Sequence, residues 1–253
     1  MPDSWYKVDN VAKVFLATAS QRDPRVFRIS CTLNEEIDPA VLNEALRTTA
    51  QEWPQFQVTL HRGLFWHYFE STDLLPTAQP ENKAPCAPLY TPERRNKLIY
   101  RVTYFGARIN LEMFHAVTDG NGGLLYLKSI VRNYLALRHP GELDSVPSPN
   151  SASAADRVQD SFRNFYEGSR REKPAEKVKA YRPRGMRLPY DQLQFFEGHL
   201  SAKQVLERSR ALGVSMTSYL GTRFMLAIYH DMPALERKKP ICISLPVNLR
   251  NYY

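Results

Sequence analysis

The sequence predicts a mixed α/β (α+β) fold, a largely antiparallel sheet flanked by helices, and three observations carry that reading. Short runs with apolar–polar alternation recur in the first half of the chain, as in Val26 to Leu33 and Arg108 to Phe114, which is the period of a half-buried strand. Other stretches set apolar residues at helical spacing instead, as Leu124, Leu127, Ile130, Val131, Tyr134 and Leu135 do, the stripe of a helix with one face in a core. Between alternating runs lie turn signals of only two residues, Arg62-Gly63 and Gly106-Ala107, short enough for antiparallel hairpins.

Each element follows from its residues. Val26 to Leu33 places Phe27, Ile29, Cys31 and Leu33 on one face of a strand. Asp38 then serves as N-cap and Pro39 as first helical residue, with Val41, Leu42, Ala45 and Leu46 as the buried stripe. Trp53-Pro54 ends that helix, because the residue before a proline avoids the helical region. Gln55 to His61 and Leu64 to Glu70 read as a hairpin. Residues 71 to 96, rich in proline and polar groups, read as a long surface excursion. Leu98 to Phe105 and Arg108 to Phe114 are the next strands. A helix runs from Gly122 or Gly123 to about Leu137, where His139-Pro-Gly141 stops it. Residues 140 to 155 read as a linker or exposed loop, and a polar helix is expected from Ala155 to Gly168. Leu193 to Leu200 reads as a strand. Ser201 caps a helix that Gly213 terminates, Met216 to Tyr229 forms a strongly apolar helix, and Pro240 to Val247 reads as a buried strand.

Composition narrows the class. With 43% hydrophobic and 24% charged residues over 253 positions, the chain can bury a core and is an ordinary globular protein. No apolar run approaches a membrane span. The first residues lack the basic and apolar regions of a signal peptide. Cys31, Cys86 and Cys242 are widely spaced, without metal-ligand spacing, and read as reduced thiols of a cytoplasmic protein, two of them packed in strands. The formal charge of +8 is scattered. Its densest run, Arg170 to Arg184, is broken by prolines and acids and reads as a solvated connector. With no zinc pattern or recognition helix, nucleic acid is not an expected partner. The positive charge equally suits an anionic cosubstrate such as coenzyme A or an acidic carrier protein.

The stretch that carries chemistry is His115-Ala-Val-Thr-Asp119-Gly120. It closes an alternating strand and opens a glycine-rich turn into a helix. A histidine there can present one ring nitrogen to a cleft. A carboxylate four residues on can support it, or form half of an ion pair that holds the turn, and the glycine lets the backbone bend. That is general-base architecture without an adjacent nucleophile. It suits acyl or proton transfer in which the substrate supplies the nucleophile.

Phe114-His115-Ala-Val-Thr-Asp119-Gly120-Asn-Gly122 resembles the HxxxDG signature of acyltransferases with the chloramphenicol acetyltransferase fold. That superfamily includes alcohol acetyltransferases, wax ester synthases, plant BAHD enzymes and the condensation domains of nonribosomal peptide synthetases. The sequence is most similar to bacterial alcohol acetyltransferase-like proteins, with Trp5 to Phe15, Gly63-Leu-Phe-Trp66 and Leu245-Pro-Val-Asn-Leu-Arg250 adding to the likeness. The resemblance implies a chloramphenicol acetyltransferase-like fold and His115 as general base. It implies acyl transfer from acyl-CoA to a small alcohol (or amine) acceptor, with no covalent enzyme intermediate, tightly bound cofactor or metal. It makes Asp119 a structural residue paired with Arg250, and Gly120, Gly122 and Gly123 the places where backbone approaches closely.

Members of the superfamily are longer, built from two similar halves with the reaction tunnel between them. The resemblance therefore implies an N-terminal half: residues 1–150 the acyltransferase-like domain, 151–185 a linker and connector, and 186–253 the start of a truncated second half. Self-association or a separately encoded C-terminal half would then complete the site. A carrier-protein-dependent condensation unit and a noncatalytic binding protein retaining the fold are the alternatives.

Overall fold

The computed structural model describes residues 5–64, 66–90, 96–143, 179–186, 188–189 and 192–246. Cα proximity divides the chain into two units, one of Met1–Glu167 with Pro189–Leu193, the other of Gly168–Leu188 with Gln194–Tyr253.

The first unit contains β1 (Trp5–Lys7), α1 (Asn10–Thr18), β2 (Val26–Thr32), α2 (Pro39–Glu52), β3 (Val58–Arg62), β4 (His67–Ser71), β5 (Ala78–Pro80), β6 (Tyr100–Phe105), β7 (Arg108–Phe114) and α3 (Gly120–Arg138). One sheet has the order β2-β7-β6-β5 and the other β1-β4-β3. All pairings are antiparallel except β5 with β6. The mixed, largely antiparallel α/β class is therefore the observed one. Strand alternation then sorts the four-stranded sheet into two unlike faces. Phe27, Ile29 and Cys31 of β2, Ile109, Leu111 and Met113 of β7, and Tyr100 and Val102 of β6 pack beneath α2 and α3. Leu42 and Leu46 of α2 and Tyr126, Ile130 and Tyr134 of α3 are fully buried against them, each contributing roughly 1.5–3 kcal/mol of transfer free energy.

The tyrosines' polar ends are satisfied within that core. Asp38 N–H donates to Tyr134 Oη at 2.9 Å, and Tyr126 Oη donates to Tyr100 Oη at 2.9 Å. Burial, the largest influence, pushes the Tyr100 hydroxyl up to about 12, so it stays a neutral hydrogen-bonding group.

The opposite face is ionic. Register places Arg28 of β2 and Arg101 of β6 directly on either side of Glu112 of β7. Arg28 donates to Glu112 Oε1 at 2.8 and 2.6 Å, Arg101 Nε to Oε2 at 3.0 Å, and the Cys86 amide to Oε1 at 2.8 Å. Glu81 extends the network to Arg28 and Arg108. Burial would raise the Glu81 carboxyl, but hydrogen bonds from Arg28 and Arg108 hold it below the ordinary carboxylate range.

Several sequence expectations hold. Asp38 caps α2, accepting from Ala40 N–H and Val41 N–H, with Pro39 at the first position. The hairpins at Gly63 and Gly106 form, and Ser201 and Gly213 bound the first helix of the second unit. Others need correction. Helix α3 begins at Gly120, ahead of the expected start at Gly122 or Gly123, because Asp119 caps it there. The surface excursion contains β5, whose residues pair parallel to β6 and add an edge. Gln55 lies in a 3₁₀ turn after Pro54, leaving β3 to start at Val58. Elements β1 and α1 were not expected. Of the cysteines only Cys31 lies in a strand; Cys86 sits in a loop with φ 58° and Cys242 is exposed.

In the second unit, α4 (Ala202–Ala211) and α5 (Met216–Asp231) are the α-helices among the described residues, followed by a 3₁₀ turn at Ala234–Glu236. The expected strands over Leu193–Leu200 and Pro240–Val247 are absent across 193–200 and 240–246. β-branched composition alone makes no strand; a ladder partner is required, and Tyr181 N–H to Pro240 O is the backbone bond found here. No residue of α5 is buried, and Leu212 and Phe224 are 66% and 62% exposed. The polar helix expected from Ala155 to Gly168 lies outside the described residues. Among those described, no helix is long and apolar enough to cross a membrane.

Candidate functional site

Strand β7 delivers His115. Its backbone N–H donates to Arg25 O at 2.8 Å, one residue beyond the last β2–β7 pair, Val26 with Phe114. Arg25 adopts a left-handed backbone with φ 56°, which is uncommon outside Gly, Asn and Asp. Val117 N–H returns to Phe114 O at 3.0 Å, so the chain turns sharply at His115 before α3 begins. The strand's alternation therefore ends where the histidine starts, and His115 is half-buried rather than sunk in the core.

Aromatic rings enclose the imidazole. Phe15 of α1 stacks on it with ring centroids 4.1 Å apart and planes 12° from parallel. Phe27 of β2 lies 5.0 Å away, tilted by 59°. Nδ1 is buried and has no hydrogen-bond partner among the described residues.

Asp119 is exposed and caps α3, its Oδ1 accepting from Gly122 N–H at 2.8 Å. A carboxylate at a helix N-terminus satisfies an amide that has no intrahelical partner and complements the positive end of the helix dipole. Gly120, the first residue of α3, has open space where a Cβ would go, so the steric demand expected there falls on its neighbours. A Cβ on Gly123 would lie 2.7 and 2.9 Å from Phe27 Cε2 and Cζ, and one on Gly122 would collide with the Thr118 hydroxyl. Glycine at 123 lets α3 rest on the ring that borders His115. The structure thus brings His115, Asp119 and Gly120 onto one turn. Arg250, the expected partner of Asp119, lies outside the described residues.

Sequence reasoning missed Phe15 and Phe27 as neighbours of His115. Phe27 was legible only as a strand's inward face, and nothing in the spacing could place Phe15 across from a residue so distant in the chain. It also missed the Arg28–Glu112–Arg101 row, for which the signal was present: polar residues at alternate positions of β2, β6 and β7, with Glu112 inside an otherwise apolar strand. An open apolar groove of about 370 Å³ runs between β2 and α3, lined by Cys31, Leu124, Leu127, Val131 and Leu135, and His115 does not line it. Among the described residues no cluster of His, Cys, Asp or Glu is placed to hold a metal ion.

No family model matches the chain, and no curated protein matches it. Solved structures similar to it include the starter condensation domain of rhizomide synthetase, at 13% identity and TM-score 0.44, covering 53% of this chain and 38% of that one. The epimerization domain from the third module of tyrocidine synthetase B is similar at 12% identity and TM-score 0.43, covering 54% and 36%. Polyketide synthase associated protein 5 from Mycobacterium tuberculosis is similar at 15% identity and TM-score 0.40, covering 54% and 34%. The matched region thus spans well under half the length of these structures.

Proposed function

We propose that this chain is an acyltransferase unit in which His115 is the general base, moving an acyl group from acyl-CoA to an alcohol. The observation that carries the reading is the state of the imidazole. It stands at the end of β7, half-exposed, walled by Phe15 and Phe27, with Nδ1 sealed from solvent. Nε2 is then the nitrogen a substrate would meet. With the ring's own proton on Nδ1, the Nε2 lone pair takes the proton of the acceptor hydroxyl as its oxygen bonds to the thioester carbonyl carbon. Collapse of that adduct breaks the carbon–sulfur bond, the thiolate leaves with the electron pair, and the imidazolium returns the proton to that sulfur.

In this reading Asp119 holds the turn and does not move protons. Arg250 is its candidate ion-pair partner, a planar fork suited to two-point contact with a carboxylate. Incubating the protein with labelled acetyl-CoA and a panel of small alcohols tests the proposal. Labelled ester and free coenzyme A in equal amounts are expected. Transfer only from an acyl-loaded carrier protein would make the donor a carrier thioester, and no transfer from either would favour a noncatalytic binding protein.

A further inference from the structure

We infer that Phe15 is a positioning residue for the reaction assigned to His115: its ring holds the imidazole in one plane, with Nε2 toward the acceptor. The inference rests on the reading of His115 as the base, and it adds to that reading a contact from the far N-terminal helix. A base must present its lone pair along one direction, yet the terminal torsion of a histidine is broad and roughly two-fold. Ring orientation is commonly set by a hydrogen bond from the second nitrogen. Here that nitrogen, Nδ1, is buried with no partner among the described residues. Packing must supply the restraint.

The geometry of Phe15 fits that task. At 4.1 Å and 12° it lies face to face with the imidazole, and Phe27 stands on the ring at 5.0 Å. Rotating the imidazole out of its plane would drive it into the Phe15 face. Helix α1 is itself pinned in place. Asp9 caps it by accepting from Ala12 N–H at 2.6 Å. Val8 and Ala12 are buried with Val58, Leu60, Ile99, Phe114 and Ala116 in a second core cluster, against which Phe15 packs. Phe15 is one helical turn on from Ala12, so the buried face of α1 sets its position. Its neighbour Val14 is 59% exposed, so α1 lies on the surface and Phe15 is the residue it turns toward His115. Phe27 is seated from the other side by the missing Cβ of Gly123.

The test uses the full chain with Phe15→Leu and Phe15→Met, which keep apolar volume without a ring face, and Phe15→Tyr, which keeps the ring. Two readouts are taken: the long-range ¹H–¹⁵N spectrum of the His115 imidazole, and the kinetics of transfer from acetyl-CoA to the preferred alcohol. Phe15→Tyr should resemble the parent in both. The Leu and Met variants should shift or broaden the His115 ring signals. They should also lower kcat about 10–100-fold, the scale for a misplaced reacting group, with KM little changed. A folded Phe15→Leu or Phe15→Met chain with parent ring signals and parent kcat overturns the inference while leaving the base assignment intact. Conversely, His115→Ala retaining full transfer overturns the base assignment, and the ring spectra then decide alone whether Phe15 holds the imidazole.

Discussion

Replacing Glu112 by Gln should destabilise the first unit severely although it alters few atoms. The Glu112 side chain is 0% exposed, and the arginines on either side of it, Arg28 and Arg101, are 15% and 16% exposed. The amide keeps the shape but removes the charge and turns an NH₂ toward one guanidinium. Arg101, nearly buried, then loses its carboxylate, and Arg28 keeps only Glu81. Breaking a buried ion pair by removing one partner costs about 3–5 kcal/mol. For a unit of this size each kcal/mol is worth roughly 2–4 °C of melting temperature, so the midpoint should fall by about 6–20 °C. Urea and thermal unfolding followed by circular dichroism measure this directly. Replacing the row together (Arg28→Met, Glu112→Met, Arg101→Leu) should recover part of the loss, since the apolar side chains need no compensation and Glu81 keeps Arg108, although the Cys86 amide loses its acceptor. A Glu112→Gln change costing less than about 1 kcal/mol would refute the claim that the Glu112 charge is needed by the arginines beside it.

Asp119→Ala should destabilise the unit by about 0.5–2 kcal/mol through loss of the α3 cap, whereas Asp119→Asn should retain stability, because Asn caps as well as Asp. If Asp119 also pairs with Arg250, Asp119→Asn and Arg250→Ala should each lower turnover, with losses that do not sum in the double variant; additive losses would dissolve the pair. Because the Glu81 carboxyl is held below its ordinary value, its stabilisation is present at neutral pH and lost as pH falls below about 4.5 through the lower folded value. The unfolding free energy should decline with acidification in that window, and less steeply in Glu81→Gln; an unchanged slope would contradict this.

The half of the fold governed by local rules was legible in the sequence. Asp38-Pro39, the Gly63 and Gly106 turns, and the alternation in β2 and β7 each act through the chain's own neighbours, so reading them needs no tertiary knowledge. Strand assignments at Leu193–Leu200 and Pro240–Val247 failed where the outcome depended on a ladder partner rather than on composition. Helix α1 and strand β5 were missed because each is short and is stabilised by what it rests on: Ala12 in the second core cluster, Ala78–Pro80 on the edge of β6. At the site, the turn carrying His115, Asp119 and Gly120 is a local feature and could be read. The aromatic walls could not, since Phe15 and Phe27 reach His115 only after two sheets and a helix have packed. The glycine that matters sterically is Gly123, and only the position of Phe27 shows why.

Whether His115 is the base is tested most directly by a single comparison. Steady-state transfer from labelled acetyl-CoA to the preferred alcohol is measured for the parent chain and for His115→Ala, with folding of both checked by their unfolding curves. Loss of a general base predicts a fall in kcat of about 10²–10⁴-fold with an unchanged unfolding midpoint. A folded His115→Ala chain that transfers at the parent rate would contradict the account.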